Sequence, residues 1–361
     1  MSELLESKTI DTIASSDTEK GKCASCGGIL VFSPERGMLH CDYCGADVVL
    51  DFTPANVVEN DFEEYSQHPG MMNLVETFVA KVTCAQCGAQ TTFPENATSF
   101  SCTFCGTPIV LNTSVQSRVW QPEYLLPFKI AEKECMQHFK KWASSRWFAP
   151  AGFAKKLIAE GRLQGVYLPY WTYDADTLTC YTGRKGTEHT DSKNKTYISW
   201  KNVSGRIEKF FDDVLVAASD YIPKNVEMYQ TKWDKENYVT YNEHFMKGFL
   251  TLLYQRDFKE CYGDAQIKMR SEITVAINKQ IGGDRQEIKS QNTTYSNVKF
   301  KLILLPMWMS AFKYNSKSYL FTVNGRNAQV SGNRPWSAPK LIAFIFLIIV
   351  IIVLLFRLYI K

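Results

Sequence analysis

Hydrophobic positions are most concentrated at the carboxyl end of the chain. From Leu341 to Phe356 the sequence reads LIAFIFLIIVIIVLLF, sixteen apolar residues without a break. Sixteen helical residues span about 24 Å, and extension to Ile360, with Arg357 reaching the headgroups, approaches the roughly 30 Å of a bilayer core. A buried core helix is the alternative, but such helices seldom lack polar residues for so long. We therefore predict one transmembrane tail anchor over residues 338–361.

The side of the membrane that holds the rest of the chain is inferred from the cysteines and the amino-terminal sequence. No signal-peptide pattern precedes the cysteines, and a reducing compartment suits free thiols. The flanking charges do not decide, because Arg334 and Lys340 precede the apolar run while Arg357 and Lys361 follow it. We expect a single-pass membrane protein with residues 1–337 in the cytoplasm.

The middle of the chain, residues 116–337, alternates between helical and strand periods. Cys135, Phe139 and Trp142 recur at helical spacing. Residues 165–183 and 299–325 alternate in the manner of paired strands. Because no Gly/Ser-rich or low-complexity gap divides this region, we predict one mixed α+β domain.

Two further patterns lie inside this domain. Leu168-Pro169-Tyr170-Trp171 and Leu305-Pro306-Met307-Trp308 look like one strand motif used twice. Proline within such runs favours edge strands or bulges. Between the two motifs, residues 242–282 carry a long helical pattern whose apolar positions include Phe249 and Ile267.

Eight of the eleven cysteines form two blocks of the same spacing, C-x2-C-x14-C-x2-C, displaced by 61 residues. The blocks consist of Cys23, Cys26, Cys41 and Cys44, then of Cys84, Cys87, Cys102 and Cys105. Four thiolates in two close pairs are the ligand set of a tetrahedral Zn2+, and the glycine after each pair suits a tight turn. Each block reads strand, turn, strand between its pairs. We predict two tandem small-β zinc ribbons, over residues 23–50 and 81–115.

Other uses of these cysteines fit the pattern less well. A thioredoxin-type redox pair needs a single CxxC beside a βαβ unit, whereas four such pairs occur here in hairpin context. Disulfides require an oxidising compartment. Iron remains an alternative, because four sulfurs in a tetrahedron suit both metals. With four cysteines each, neither site keeps an open position, so we expect two structural Zn2+ ions without a catalytic role.

The remaining segments are assigned by composition. Residues 1–22 are polar and mixed in charge, which predicts a disordered tail. Residues 51–80 are predicted to link the ribbons. The fold class is therefore α+β: two zinc ribbons, a larger mixed domain and one carboxyl-terminal transmembrane helix.

The charge of the chain is distributed unevenly. Residues 1–115 hold five Lys/Arg against fifteen Asp/Glu, whereas residues 116–361 hold 36 against 22. Two Zn(Cys)4 centres bring the ribbon half to a charge of about −14. This balance disfavours nucleic acid as the ribbons' partner, since binding to phosphates depends on Lys and Arg. The basic half lies beside the anchor, where anionic lipids would attract it, although a solvated surface explains the same charges.

The middle domain shows no pattern of catalytic residues. The five histidines are scattered and form no metal-ligand spacing. Asp212 and Asp213 are adjacent, so we expect their side chains to point apart and to serve structure or solvation. The single cysteines, Cys135, Cys180 and Cys261, are expected to be buried free thiols. The sequence contains no nucleotide-binding loop, serine elbow or dinucleotide turn.

The ordered motifs resemble a known family. Two CxxCG ribbons are followed by LLPFKI, FKKW, RWFAP, LQGVYLPYWTYDA, FFDDVLV, IGGD, YSNVKFKLILLPMWMSAFKY and FTVNGRNAQVSGNRPWS. Together, from Cys23 to Ser337, they resemble bacterial membrane-anchored zinc-ribbon proteins that are often labelled similar to primosomal protein N′, the replication-restart helicase. The helicase label fits only the ribbons, because this chain lacks the necessary nucleotide loop.

The resemblance implies a role as an adaptor. A membrane-bound member of this group is encoded beside SPFH-type and PspA-linked membrane-stress proteins, which it helps bring to the membrane. We therefore expect a membrane-anchored, zinc-binding scaffold that recruits cytoplasmic or membrane-associated partner proteins, SPFH-type ones first, and no enzymatic activity. The alternative is a membrane-tethered nucleic-acid-binding ribbon protein linked to replication or transcription.

Overall fold

Three long strands form the centre of an α+β fold. The computed structural model describes residues 22–68, 74–87, 89–92, 99–104, 107–110, 115–160, 163–222, 233–314 and 317–359. The strands of the amino-terminal third are β1 (Leu30–Ser33), β2 (Met38–Cys41), β3 (Asp47–Val49), β4 (Asn60–Asp61), β5 (Leu74–Thr83), β6 (Gln90–Thr92), β7 (Ser99–Ser101), β8 (Pro108–Val110) and β9 (Val115–Trp120). The later strands are β10 (Tyr124–Leu125), β11 (Gln164–Thr190), β12 (Thr196–Ala217), β13 (Val239–Thr240), β14 (Leu250–Thr251), β15 (Arg285–Tyr314), β16 (Lys317–Asn324) and β17 (Val330–Gly332). The helices are α1 (Phe62–Gln67), α2 (Glu132–Ser144), α3 (Phe153–Glu160), α4 (Phe258–Ile281) and α5 (Ala338–Tyr359). The tail predicted for residues 1–22 lies outside the described residues except for its last one.

The large sheet is ordered β12-β11-β15-β10-β13. Strand β11 pairs antiparallel with both β12 and β15, and β10 runs parallel to β15. Strand β14 adds to β11, while β16 and β4 add to β15. Helices α2, α3 and α4 cover one face of this sheet. Tyr167 packs with α2 and α3, and Trp171 packs with α4. The two residues are four positions apart on β11, so their side chains point to the same face. The opposite face carries Val166, Leu168 and Tyr170.

The two LPxW motifs pair with each other at the middle of this sheet. Leu168 lies opposite Leu305, and Tyr167 lies opposite Pro306 in the antiparallel register of β11 and β15. The prediction that proline marks edge strands or bulges is wrong for both motifs, because both strands are central and the register shifts of β11 lie at other residues. Each proline instead lies in a gap between two shorter strands on its other side. Beside Pro169, β14 pairs as far as Tyr167 and β12 pairs from Tyr170 onward. Beside Pro306, β10 pairs as far as Leu304 and β16 pairs from Met307 onward. A residue without an N–H is tolerated at such a gap.

Equivalent hydrogen bonds surround the two motifs and show that the domain is internally duplicated. The Trp171 indole N–H donates to the Arg256 carbonyl at 2.9 Å, and the Trp308 indole N–H donates to the Ile130 carbonyl at 2.9 Å. Arg256 and Ile130 each lie two residues before a helix, α4 and α2 respectively. Each half of the domain therefore binds the start of the other half's helix, as expected for two units related by a pseudo-two-fold axis.

The backbone repeats the same relationship. The Ala218 N–H donates to the Pro169 carbonyl at 3.1 Å, and the Gly325 N–H donates to the Pro306 carbonyl at 3.0 Å. The carbonyl of Ala218 then accepts from residues 255 and 256, and that of Gly325 accepts from residues 129 and 130. Both helices also begin with the sequence Lys-Glu-Cys near their first turn, ending at the buried Cys135 and Cys261.

The helix predicted over residues 242–282 is shorter in the structure. Helix α4 begins at Phe258, where the Asp257 carboxylate accepts the Glu260 N–H at 2.7 Å as an N-cap. The residues before it form a short 3-10 helix, Glu243–Met246, and strand β14. Ile267, predicted as part of the apolar face, is exposed. The Asp257 cap therefore sets the start of α4, and the apolar residues before it belong to the 3-10 helix and to β14.

The outer parts of β11, β12 and β15 extend beyond the core as a three-stranded arm. Residues 176–190 of β11 would span about 50 Å at the usual rise of a strand. Helix α4 covers one face of this arm along residues such as Ile273, Ile277 and Ile281. The structure pairs no described strand with the outer edge of β12. We call residues 176–212 and 285–298 the sheet arm.

The first cysteine module, residues 22–50, packs into the core of the large domain. Phe32 on β1 contacts Phe245 and Phe249 at ring-centroid distances of 5.4 and 6.3 Å. The Phe32 N–H also donates to the Lys247 carbonyl at 3.0 Å. Since Leu30 and Leu39 belong to the same cluster as Trp308, the module and the large domain share one core.

The segment after this module is folded onto the large sheet. Strand β4 pairs with Lys299 and Phe300 of β15. The ring of Phe62 on α1 packs 5.5 Å from Phe258 and 6.1 Å from Phe300. Residues 51–68, predicted as part of a linker, therefore form contacts with both β15 and α4.

Helix α5 is not buried by the folded part of the chain. It has 22 residues, a mean hydropathy of 3.3 over its most apolar window, and none of that window is buried. At 1.5 Å per residue it is about 33 Å long. The structure therefore contains a carboxyl-terminal helix long and apolar enough to cross a membrane, as the sequence predicts.

Candidate metal centres

The first cysteine module brings its four predicted ligands together. The Sγ atoms of Cys23, Cys26, Cys41 and Cys44 all lie within 4.8 Å of one another. Cys23 and Cys44 are 3.5 Å apart at their sulfurs, as are Cys26 and Cys41. A sulfur tetrahedron around a metal at about 2.3 Å has edges of about 3.8 Å. The cluster therefore has the size that a tetrahedrally bound metal ion requires.

The backbone around each cysteine pair explains why these sulfurs converge. The Cys23 N–H donates to the Gly28 carbonyl at 2.6 Å, and the Cys41 N–H donates to the Ala46 carbonyl at 2.9 Å. Each bond closes a loop of six residues that holds both cysteines of a pair. Gly27 and Gly45 sit in these loops at φ +72° and +76°, a conformation that glycine adopts without steric cost.

The second cysteine module, residues 81–110, repeats this construction. The Cys84 N–H donates to the Ala89 carbonyl at 2.9 Å, and the Cys102 N–H donates to the Thr107 carbonyl at 2.8 Å, again five residues on. The sulfurs of Cys84, Cys87 and Cys102 lie within 4.8 Å of one another. Cys105, the predicted fourth ligand, lies outside the described residues.

The thiols of the first cluster differ in pKa. Burial opposes ionisation of Cys23, but the backbone N–H groups of Ser25 and Cys26 outweigh it and lower the pKa of the Cys23 thiol to about 6. The pKa of the Cys44 thiol rises to about 12: the backbone contact with Ala46 opposes the rise, and the neighbouring Cys26 and Cys23 sulfurs cause it. Four thiolates this close require a cation, and both cysteine clusters could bind a metal ion.

His40 lies beside the first cluster but is oriented away from a ligand role. Its Nδ1 is 2.5 Å from a carboxylate oxygen of Asp47, and its Nε2 is 3.7 Å from Asp42. The hydrogen bond from His40 is the main reason why the pKa of Asp47 is lowered, with Arg36 adding to the effect. His40 and Arg36 thus join β2 to β3 through Asp47.

A buried ion-pair cluster in the large domain was not foreseen from the sequence. Carboxylate oxygens of Glu59, Asp174 and Asp213 lie within 4.8 Å of one another. The Lys301 ammonium, on a side chain only 2% exposed, donates to both Glu59 and Asp213. Lys235 approaches Asp213 to 3.5 Å from the solvent side. Because a fixed ammonium lies among these carboxylates, the chain itself supplies the cation that they require.

Strand irregularities create this cluster. The register of β11 and β12 shifts between Tyr173 and Ala175, and Asp213 opposite this shift has a φ of +53°. The Asp213 N–H then donates to the Asp174 carboxylate at 2.7 Å. A bulge re-aims side chains in this way and turns Asp174 and Asp213 inward.

Electrostatics within the cluster differ from site to site. Burial raises the pKa of Asp174 to about 7, and the neighbouring Glu59 adds to the rise. Burial alone would lower the pKa of Lys301, but Asp213 and Glu59 raise it above its usual range. The side chains of Asp212 and Asp213 differ in burial, at 66% and 7% exposed, as their adjacency predicts, but both carboxylates approach the Lys235 ammonium, at 3.4 and 3.5 Å.

The three single cysteines lie in different environments. Cys135 and Cys261 are buried, and burial raises the pKa of each thiol to about 12. Both therefore stay protonated and inert at neutral pH. Cys180 is exposed on the sheet arm, so the prediction that all three are buried is wrong for it. Residue 180 alternates with Thr179 and Tyr181, which face α4, and the period of the strand places it outward.

The described architecture is a mixed α+β protein with two cysteine clusters able to bind metal and one apolar carboxyl-terminal helix. No family model matches the chain. No solved structure matches it either. The chain is similar to the uncharacterized protein YdjG of Bacillus subtilis (strain 168), with 23% identity over 339 residues that cover 90% of this chain and 92% of that protein.

Proposed function

We propose that this protein is a membrane-anchored zinc-binding adaptor that gathers partner proteins at the cytoplasmic face of a membrane. The observation that carries the proposal is an apolar helix, α5, of which the folded head buries no residue. A helix with a mean hydropathy of 3.3 and no buried residue in its apolar window needs an apolar environment outside the protein. Bilayer lipid provides one, and the thiol-rich head suits the reducing cytoplasm.

Zinc is the proposed metal of both cysteine modules. Four thiolates at tetrahedral spacing fit Zn2+ in a closed site, so the metals would hold the modules in shape and leave no position for substrate. Both modules would then be zinc ribbons, with Cys105 as the fourth ligand of the second. Iron in a rubredoxin-like site is the competing assignment, and metal analysis distinguishes the two.

The sheet arm is the proposed surface for protein partners. The outer edge of β12 carries backbone donors and acceptors that no described strand pairs with, and strand addition to such an edge is a common mode of recognition. Phe210 on this strand exposes its ring to solvent. The family resemblance makes SPFH-type membrane proteins the first candidates.

Site-specific photo-crosslinking in intact membranes tests this proposal. A benzophenone amino acid at Phe210 is expected to capture membrane-associated proteins, identified by mass spectrometry. The same amino acid at Tyr43, an exposed aromatic residue of the first cysteine module, is the matched control. Capture of the same proteins from both positions would indicate nonspecific proximity.

The competing function predicts different products. A membrane-tethered nucleic-acid-binding protein would yield replication or transcription proteins and would retain DNA in a salt-sensitive manner. Recovery of these species from Phe210, or no crosslinked protein at that position, overturns the adaptor proposal. ATP hydrolysis by the purified protein would also contradict it.

A further inference from the structure

A short turn of the large domain is attached to the start of the apolar helix. The Lys340 ammonium donates to the carbonyls of Trp147 and Ala149 at 3.0 and 2.8 Å. The Ser337 N–H donates to the Phe148 carbonyl at 2.8 Å. Residues 145–150, which follow α2, are therefore bonded to Lys340 in the first turn of α5 and to Ser337, the residue just before the helix. We call residues 145–150 and 334–340 the collar.

The collar reaches the level at which the apolar run begins. The Phe148 ring packs edge-on against Phe344 at a centroid distance of 5.2 Å. Phe344 lies three residues beyond Leu341, the first residue of the apolar run, which is about 4.5 Å further along the helix axis. If α5 spans a bilayer, Phe148 must lie at the boundary between headgroups and hydrocarbon.

Two indole rings of the collar are mostly exposed to solvent. Trp147 is 75% exposed and Trp336 is 61% exposed, although both flank the helix start. Tryptophan is enriched at the membrane interface because its ring is apolar and its N–H is polar. The positions of both rings match that depth.

The charges of the collar are all positive. Residues 145–150 and 334–340 contain Arg146, Arg334 and Lys340 but no Asp or Glu. Arg146 stacks over the Trp142 ring at 4.7 Å, and Arg334 stacks over Trp336 at 4.3 Å. Burial lowers the pKa of Arg146, and the positive charge of the neighbouring Arg334 adds to the effect. Neither pairs with a carboxylate among the described residues.

We propose that the collar seats the large domain on the surface of a bilayer rich in anionic phospholipid. Lipid phosphates neutralise Arg146 and Arg334, and Trp147 and Trp336 enter the interface beside them. This inference rests on the proposed membrane span and adds a second contact that fixes the orientation of the head. An anionic surface fits, because three nearby cations without acidic neighbours attract it.

Tryptophan quenching by brominated lipids tests the seating. The full chain is reconstituted in nanodiscs that contain phosphatidylglycerol, and quenching is compared for wild type, Trp147→Phe and Trp336→Phe. Trp200→Phe, at an exposed tryptophan of the sheet arm, is the matched control. We expect Trp147→Phe and Trp336→Phe each to remove a quenched component from the eight tryptophans, and Trp200→Phe to remove none.

The outcomes separate the seating from the span. If Trp336→Phe removes quenched signal and Trp147→Phe does not, the helix is inserted but the collar is not seated, and the inference is wrong. If alkaline carbonate extracts the full chain from membranes, the proposed anchor itself fails.

A charge series addresses the anionic lipid. Arg146→Gln and Arg334→Gln are each expected to shift the seated equilibrium about fivefold toward the unseated form, measured as access of an aqueous quencher to Trp147. Arg206→Gln, at an exposed arginine of the arm, should leave it unchanged. Equal seating in nanodiscs of phosphatidylcholine alone would overturn the role of anionic lipid.

Discussion

Lys301 and Asp213 form a buried ion pair that connects the centre of the sheet to its irregular strand, β12. Glu59 accepts from the same ammonium, although it lies 242 positions away in the chain. The segment that leaves the first cysteine module is thus held to β15 by charge as well as by the pairing of β4. Removing the ammonium would leave buried carboxylates without a partner.

We therefore expect Lys301→Met to destabilise the head by about 3–5 kcal/mol, the range found when one partner of a buried pair is removed. Lys209→Met, which breaks the exposed pair with Glu272, should cost at most about 1 kcal/mol. Chemical denaturation of the detergent-solubilised protein measures both changes. Equal losses of unfolding free energy in the two variants would show that the buried cluster contributes no more to stability than an exposed ion pair.

Asp174 should make stability depend on pH. Its pKa of about 7 in the folded protein lies above the usual value near 4 for unfolded Asp, so the folded state binds more protons between these limits. The contribution of Asp174 to stability therefore falls as pH rises from about 4 to 7 and stays low above pH 7. Asp174→Asn should remove this slope, and Asp176→Asn, an exposed neighbour, should keep it. Thermal midpoints across pH 4.5–8 give the comparison.

Metal removal should affect the large domain and not only the cysteine modules. Because Phe32 packs against Phe245 and Phe249, loss of metal from the first module should loosen the shared core. Elemental analysis should find two Zn2+ per wild-type chain and about one in Cys23→Ser, which should also melt at a lower temperature. Cys180→Ser, at an exposed cysteine outside both clusters, should change neither. Iron in place of zinc would reassign the sites.

The two indole hydrogen bonds should contribute equally. Trp171→Phe and Trp308→Phe each leave one backbone carbonyl without its donor, at an expected cost of about 1–3 kcal/mol. Trp200→Phe should cost less than about 0.5 kcal/mol, as is usual on a surface. A large difference between the first two would contradict the equivalence of the halves.

Local chemistry could be predicted from the sequence wherever a short spacing carries it. The four ligands of the first cluster and three of the second converge as their spacing predicts, and helix α2 follows the period of Cys135 and Phe139. The repeated LPxW motif was recognisable, but its self-pairing was not, because register is a property of two strands 137 residues apart. The cluster of Glu59 and Lys301 escaped for the same reason.

Two errors had a more specific cause. Proline within a strand run predicts an edge strand or a bulge, whereas Pro169 and Pro306 lie in central strands, each beside a gap between two shorter neighbouring strands. The apolar period before α4 suggested helix, whereas Asp257 caps the helix fifteen residues later than the pattern began. The first case depends on the N–H that proline lacks, and the second on the Glu260 N–H that Asp257 caps. The spacing of hydrophobic residues carries no information about such backbone donors.

The exchange of bonds between Trp171 and Trp308 means that the two halves of the large domain are not successive modules. The tryptophan of each half donates to the backbone before the helix of the other half, and not to the backbone before its own helix. The contacts have the form of a symmetric pair, in which each half supplies the other with a paired strand and an indole donor. Joined in one polypeptide, the halves can differ while keeping that reciprocity: one carries two short helices and the other a single long one beneath the arm. A cut that separated the halves would therefore leave each helix start without the indole N–H that binds it.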